Sequence, residues 1–243
     1  MKYLLTIAYD GSRYCGFQKQ NNGISVQQVL TEAASKAFGD CKITGCSRTD
    51  SGVHALGFKA TLECNATEIP ENKVAVAMNC HLPDDISVLS SVIAPDDFHP
   101  RYSVLSKEYR YVIHNSTVRD PFLRGRAYQY PKPLDVEKMN EAASYLVGEH
   151  DFASFMASGS KITDTVRNIY SCEVISDGST VTVCIKGNGF LYNMVRIIVG
   201  TLIAVSEGRI KPSDIQKILE SRDRTNAGST VPACGLYLYN VEY

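Results

Sequence analysis

The chain has 243 residues, is 44% hydrophobic and 21% charged, and carries a net charge of −1. That length allows one large domain or two small ones with a sizeable core, and the balanced charge does not announce a nucleic-acid partner. Eight cysteines (Cys15, Cys41, Cys46, Cys64, Cys80, Cys172, Cys184 and Cys234) include no Cys-x-x-Cys pair, so they read as reduced thiols of a cytosolic protein, with neither a zinc site nor a disulfide framework.

The opening run Tyr3 to Tyr9 reads as a buried strand, too short for an export signal, and Asp10-Gly11 is a turn signal. Gly11 to Tyr14 and Gln18 to Gly23 read as polar loop. Ser25 to Phe38 is predicted helical: Ser25 and Gln28 have capping-box spacing, Val26, Val29, Leu30, Ala33 and Ala37 share a face, and Gly39 stops it. Strands follow at Lys42 to Cys46 and Phe58 to Cys64, then a helix at Asn72 to Asn79 and a strand at Ile86 to Ala94. Beyond these, strands are predicted at Glu108 to His114 and Arg126 to Tyr130. Asp135 caps a helix that runs to Val147 and ends at Gly148. Asp164 to Ile175 and Val181 to Lys186 form a hairpin around Asp177-Gly178. Phe190 to Glu207 is a long apolar helix, and Ser213 to Ser221 is a short one with Ser213 and Gln216 as a capping box. Leu236 to Val241 is the last strand. The order predicts an α+β fold of two pseudo-related halves, 1–103 and 104–243, forming a large mostly antiparallel sheet flanked by helices. Asn193 and Arg196 inside the longest apolar stretch, Phe190 to Val205, argue against a membrane span.

Between the second and third strands lies Gly45-Cys46-Ser47-Arg48-Thr49-Asp50-Ser51-Gly52-Val53-His54-Ala55. Glycines there permit tight backbone, and an extended run places Arg48 and Asp50 on one face. A surface turn with an Arg–Asp pair satisfies the pattern, and so does a polar cluster aimed at a substrate. Arg196 stands alone in a helix that is apolar nearly all round. A buried guanidinium needs a partner. Asp50 is the candidate; an outlet to solvent or a structural acid such as Glu173 is the alternative. Asp50 between Arg48 and Arg196 is kept as the anion, a nucleophile or base rather than a general acid.

Charge is uneven along the chain. Residues 1–100 carry a net −3, residues 101–126 a net +4 and residues 127–243 a net −2. The basic stretch holds Arg101, Lys107, Arg110, Arg119, Arg124 and Arg126 among Tyr102, Tyr109 and Tyr111. Cations interleaved with aromatics suit phosphates and bases; a solvated sheet face is the plainer account. Tyr109 and Tyr111 share a strand face, and either a core or a base-stacking role fits them. The five histidines lack metal-ligand spacing, Gly187-Asn188-Gly189 lacks the third glycine of a dinucleotide loop, and no Walker loop occurs. His54 fits a structural or a catalytic role equally.

Arg48-Thr49-Asp50-Ser51-Gly52-Val53-His54-Ala55 resembles the signature of the TruA-type tRNA pseudouridine synthases. The likeness continues through Tyr9-Asp10-Gly11-Ser12, Gly16-Phe17-Gln18, Ser25-Val26-Gln27, Asp97 to Ser103, Lys107-Glu108-Tyr109-Arg110-Tyr111, Asp151 to Phe155, Val166-Arg167, Gly189 to Arg196 and Gly235 to Leu238, in the family's order. Departures are mild: Ser51 replaces the usual alanine and Phe17 a usual tryptophan. The resemblance implies the pseudouridine synthase fold and an isomerase that turns uridine into pseudouridine at positions 38 to 40 of the tRNA anticodon stem-loop. It implies Asp50 as nucleophile, Tyr109 stacked on the target base, Arg196 paired with Asp50, and Arg48 helping to displace the base. It further implies no metal or organic cofactor, and a cytoplasmic homodimer with tRNA touching both protomers. Arg101, Lys107 and Arg110 are the expected phosphate contacts. Two other classes remain in view: a non-catalytic RNA-binding module, and a phosphate-ester hydrolase using Asp50 and His54.

Overall fold

Alternating apolar residues make Lys2–Tyr9 a strand, β1, that buries Tyr3, Leu5, Ile7 and Tyr9 on one face. The structure is a computed structural model and describes residues 1–21, 23–65, 69–160 and 162–243. Asn22, inside the expected polar loop Gln18 to Gly23, lies outside them. After β1 come helix α1 (Val26–Phe38), β2 (Cys41–Gly45), β3 (His54–Cys64), helix α2 (Glu71–Asn79) and β4 (Ile86–Ile93). Then follow β5 (Ser106–Asn115), β6 (Tyr128–Tyr130), helix α3 (Val136–Ser144), β7 (Gly148–Asp151), β8 (Val166–Asp177) and β9 (Thr180–Gly187). Helices α4 (Met194–Ser206) and α5 (Asp214–Ser221) precede the last strand, β10 (Leu236–Glu242). The chain divides into two units: Met1–Leu105 with Tyr237–Tyr243, and Ser106–Leu236.

In the first unit the strands run β4-β1-β3-β10, with β2 also on β3. Pairing is antiparallel except β10 on β3, where Tyr237 faces His54 and Leu238 faces Ala55. Nothing in the local pattern of the last seven residues announces this return to the first unit. The core is Leu30, Ala33 and Ala34 of α1, and Val74 and Met78 of α2, against Leu5, Ile7, Phe58 and Leu62. Ser25 caps α1 by accepting from the Gln28 amide at 3.2 Å. The Gln28 side chain does not reach back; it donates to Glu32 at 2.9 Å, so only half of the capping box forms.

The second unit orders its strands β5-β9-β8-β7, antiparallel, with the short β6 parallel to β5. Both units are therefore α+β, each a mostly antiparallel sheet flanked by helices. α4 is buried nearly throughout, from Met194 to Val205. α3 packs on α4 and β8 through Met139, Ala142 and Ala143. Asp135 caps α3 as expected, accepting from the Lys138 amide at 3.0 Å.

Several boundaries differ from the sequence reading. α3 stops at Ser144, not Val147, and the chain enters β7, a strand the pattern did not mark. α4 starts at Met194, not Phe190, because Asn193 is left-handed (φ 58°) and cannot continue a helix backwards. Ser213 is no cap: its backbone is already helical (φ −65°, ψ −17°), so its hydroxyl does not face the Gln216 amide, and Gln216 donates to Glu220 instead.

Candidate active site

Asp50 sits between β2 and β3 on a segment whose backbone is tied down at nearly every step. The Phe17 amide donates to the Thr49 carbonyl at 3.2 Å, and the Val53 amide closes a turn on the Asp50 carbonyl at 3.2 Å. The Gly52 amide and the Ser51 hydroxyl both donate to the Tyr14 carbonyl, at 3.4 and 3.2 Å. Thr49, 7% exposed, shares a buried 2.9 Å hydrogen bond with the Tyr9 hydroxyl. Gly16 makes this clamp possible. Its φ is +90°, and a Cβ there would lie 2.3 Å from the Thr49 carbonyl oxygen. With Thr49 turned inward, Arg48 is exposed and Asp50 half-buried. Of the two readings, the segment is a loop and turn, and β3 already begins at His54, not at Phe58.

His54 is structural. It is 1% exposed, accepts from the Gly11 amide through Nδ1 at 3.0 Å, lies 3.2 Å from an Asp10 carboxylate oxygen and stacks on Tyr237 with centroids 4.7 Å apart. That removes the histidine from the hydrolase reading.

Arg48 lines a cavity of about 190 Å³ with Phe17, Gln18, Gln27, His99, Arg101 and Tyr102. The structure thus brings two of the expected RNA-contacting cations, Arg48 and Arg101, to one place in the first unit. Neither has an ion-pair partner among the described residues. Sequence reasoning did not name His99 or Gln18 as site residues. The signal for His99 was its place in the block Asp97 to Ser103, beside Arg101 and Tyr102.

The other expected residues belong to the second unit. On β5 both tyrosines are buried. Tyr111 is fully buried and donates to the Pro232 carbonyl at 2.7 Å, and burial pushes its phenol well above the ordinary range. Tyr109, 7% exposed, meets the edge of Phe190 at 5.0 Å and 81°. Lys107 is half-buried opposite Gly187, and Arg110 donates through Nε to Glu108 at 2.9 Å. Arg196, in the first turn of α4, is half-buried rather than buried. Its Nε donates to the Val231 carbonyl at 2.8 Å and its Nη1 to Asn193 Oδ1 at 2.6 Å. Val231 follows a stretch that lies against α4, where a Cβ on Gly200 would sit 1.8 Å from the Ser229 carbonyl oxygen. Neither Asn193 nor Val231 was marked as a partner of Arg196 by the sequence; that role depends on a left-handed residue and a backbone carbonyl.

The chain matches the family model described as tRNA pseudouridine synthase over residues 5–103 and 142–243. The chain belongs to the tRNA pseudouridine synthase family. It is an isomerase that acts on tRNA. The matched stretches contain Asp50 and Arg196 but not Tyr109. Curated proteins named tRNA pseudouridine synthase A resemble it over their whole length. That of Ruminiclostridium cellulolyticum is 47% identical, covering 100% of this chain and 99% of its own. That of Caldicellulosiruptor bescii is 46% identical, covering 99% and 98%, and that of Bacillus licheniformis 44%, covering 100% and 99%. Among solved structures, a chain of a Cbf5-Nop10-Gar1 complex is 13% identical with a TM-score of 0.39, over 97% of this synthase and 48% of that chain, too loose a likeness to carry an argument. Among the described residues, no helix is long and apolar enough to cross a membrane.

Proposed function

We propose that the synthase isomerises uridine to pseudouridine at positions 38 to 40 of the tRNA anticodon stem-loop, with Asp50 as nucleophile. The observation that carries this reading is the clamp on residues 49–53. It fixes the Asp50 backbone through five hydrogen bonds to or within the loop while its carboxylate stays half-buried. A carboxylate held this way meets the demand that a nucleophile be placed within a fraction of an ångström. The reaction breaks the C1′–N1 bond and forms C1′–C5; N1 gains a proton and C5 loses one. Attack by the carboxylate at C6 or at C1′ serves that balance equally. The target is stacked in a stem or loop, so it is flipped out before reaction. Arg48, exposed beside Asp50, assists that displacement, and Tyr109 stacks on the flipped base. Arg196 pairs with Asp50 and keeps it ionised. Arg101, Lys107 and Arg110 meet tRNA phosphates. The first half carries the catalytic loop and the second the tyrosine strand and the Arg196 helix. The working form is a cytoplasmic homodimer.

The test is tritium release from tRNA labelled at uridine C5, one of positions 38, 39 and 40 at a time. The parent protein releases tritium at these positions. Asp50→Asn releases less than a few per cent as much while binding tRNA within a few fold of the parent. Substantial turnover by Asp50→Asn removes the nucleophile assignment.

A further inference from the structure

The cavity beside Arg48 has features that one flipped uridine leaves unused. Its 190 Å³ falls below the roughly 300–1,000 Å³ of a cofactor pocket and suits a single base. Tyr102 on its wall is 78% exposed, far more than a tyrosine needs for packing. It is nevertheless not loose. Its ring lies 4.3 Å from that of His99, tilted 31°. The turn beneath is closed by the Ser103 amide on the His99 carbonyl at 3.0 Å, and by the Arg101 amide on His99 Nδ1 at 3.1 Å. The Tyr243 hydroxyl holds the same turn, donating to the Pro100 carbonyl at 2.8 Å. With Nδ1 used as an acceptor, the neutral His99 ring keeps its proton on Nε2 and is a donor. Two guanidinium groups without ion-pair partners among the described residues, Arg48 and Arg101, share the wall. Gln18, exposed, adds an amide.

We propose that this cavity is a second nucleotide subsite. It holds one unpaired nucleotide of the tRNA adjoining the target, its base stacked on Tyr102 and its phosphate met by Arg48 and Arg101. A preformed aromatic surface with cations around it is the arrangement that takes a single-stranded nucleotide irrespective of sequence. Arg48 is two residues from Asp50, at most about 7 Å of extended chain, so a strand with its target at Asp50 passes the cavity mouth. This rests on the reading of Asp50 as the reacting group.

The test uses anticodon-arm RNA carrying 5-iodouridine at one unpaired loop position at a time, irradiated with the full-length protein, with the cross-linked residue identified by mass spectrometry. One position cross-links to Tyr102. Tyr102→Leu, at a surface site that does not support the core, abolishes that cross-link and raises Kd for the RNA about tenfold, with the saturating single-turnover rate unchanged. Tyr102→Phe restores both. Absence of any cross-link within residues 99–102, together with a Kd for Tyr102→Leu within twofold of the parent, overturns the subsite. Turnover by Asp50→Asn separates the two readings: if that variant is inactive while the cross-link is absent and the Tyr102→Leu Kd is unchanged, the subsite falls alone, and if the cross-link forms while Asp50→Asn turns over substantially, the nucleophile reading falls alone.

Discussion

The segment bearing Asp50 and the turn bearing Arg196 solve one problem by opposite means. In the first unit the backbone of residues 49–53 is bound to residues 9–17, with Arg48 exposed and Asp50 half-buried. In the second, the guanidinium itself is bound, to the Val231 carbonyl and to Asn193. A side chain on an anchored loop is placed through its backbone. A cation that acts by its field loses little by donating two of its five N–H groups to neutral acceptors. The difference teaches where each site breaks: the first at a backbone contact, the second at a side-chain one.

The largest effect is expected at Gly16. Gly16→Ala puts a methyl 2.3 Å from the Thr49 carbonyl oxygen, at φ +90°. The strain is about 1–3 kcal/mol before the clash is counted, so the loop moves or the unit loosens. Melting falls by several degrees. Displacement of Asp50 by about 1 Å lowers the single-turnover rate about a hundredfold even well below the melting transition. A parental rate for a folded Gly16→Ala protein means that the clamp does not place Asp50.

The second unit is broken without touching the backbone. Arg196→Met keeps the volume and removes the charge, and the rate falls about a hundredfold or more. Asn193→Gly is the finer cut. Glycine tolerates the left-handed conformation at φ 58°, so α4 still starts at Met194, but Arg196 loses the 2.6 Å acceptor. Its effect is about tenfold in kcat with little change in KM or melting temperature, as befits a positioning residue. An equal fall in melting temperature and activity would make Asn193 only a helix start.

The same contrast explains how much the sequence disclosed. The loop stood out in the sequence because its polar side chains and glycines are contiguous in the chain, Arg48 to Ala55. The Arg196 setting was half legible. A lone cation in an apolar run stands out, but its acceptors are a left-handed asparagine and a carbonyl 35 residues away, and neither has a local signature. The helix start was misplaced for the same reason, since Phe190, Leu191 and Tyr192 continue the apolar pattern while the backbone of Asn193 does not. β7 was missed because Gly148-Glu149-His150-Asp151 owes its extended form to pairing with β8, not to composition. The return of β10 to β3 is likewise a tertiary decision.

The smallest expected effect sharpens the contrast in the cations. Arg48 and Arg101 are exposed at one cavity, whereas Arg110 is bonded to Glu108 and Lys107 is half-buried on β5. A cation already paired with a carboxylate contributes less to phosphate binding, because meeting a phosphate leaves the carboxylate beside it to be compensated. Each phosphate neutralised by a protein cation contributes roughly 0.7 to 0.9 to the slope of log affinity against log salt. Replacing Arg48 and Arg101 together by glutamine therefore flattens the slope by about 1.5. Replacing Lys107 and Arg110 flattens it by about 1 or less. Glutamine keeps the length of both side chains and their capacity to hydrogen-bond, so the change reads charge. The measurement is tRNA affinity from low to moderate salt for the parent and the two double variants. A larger loss of slope from Lys107 and Arg110 would mean that the Glu108 pair opens on binding and that β5, not the cavity, carries the principal phosphate contacts. Equal slopes for all three proteins would put the RNA path on neither.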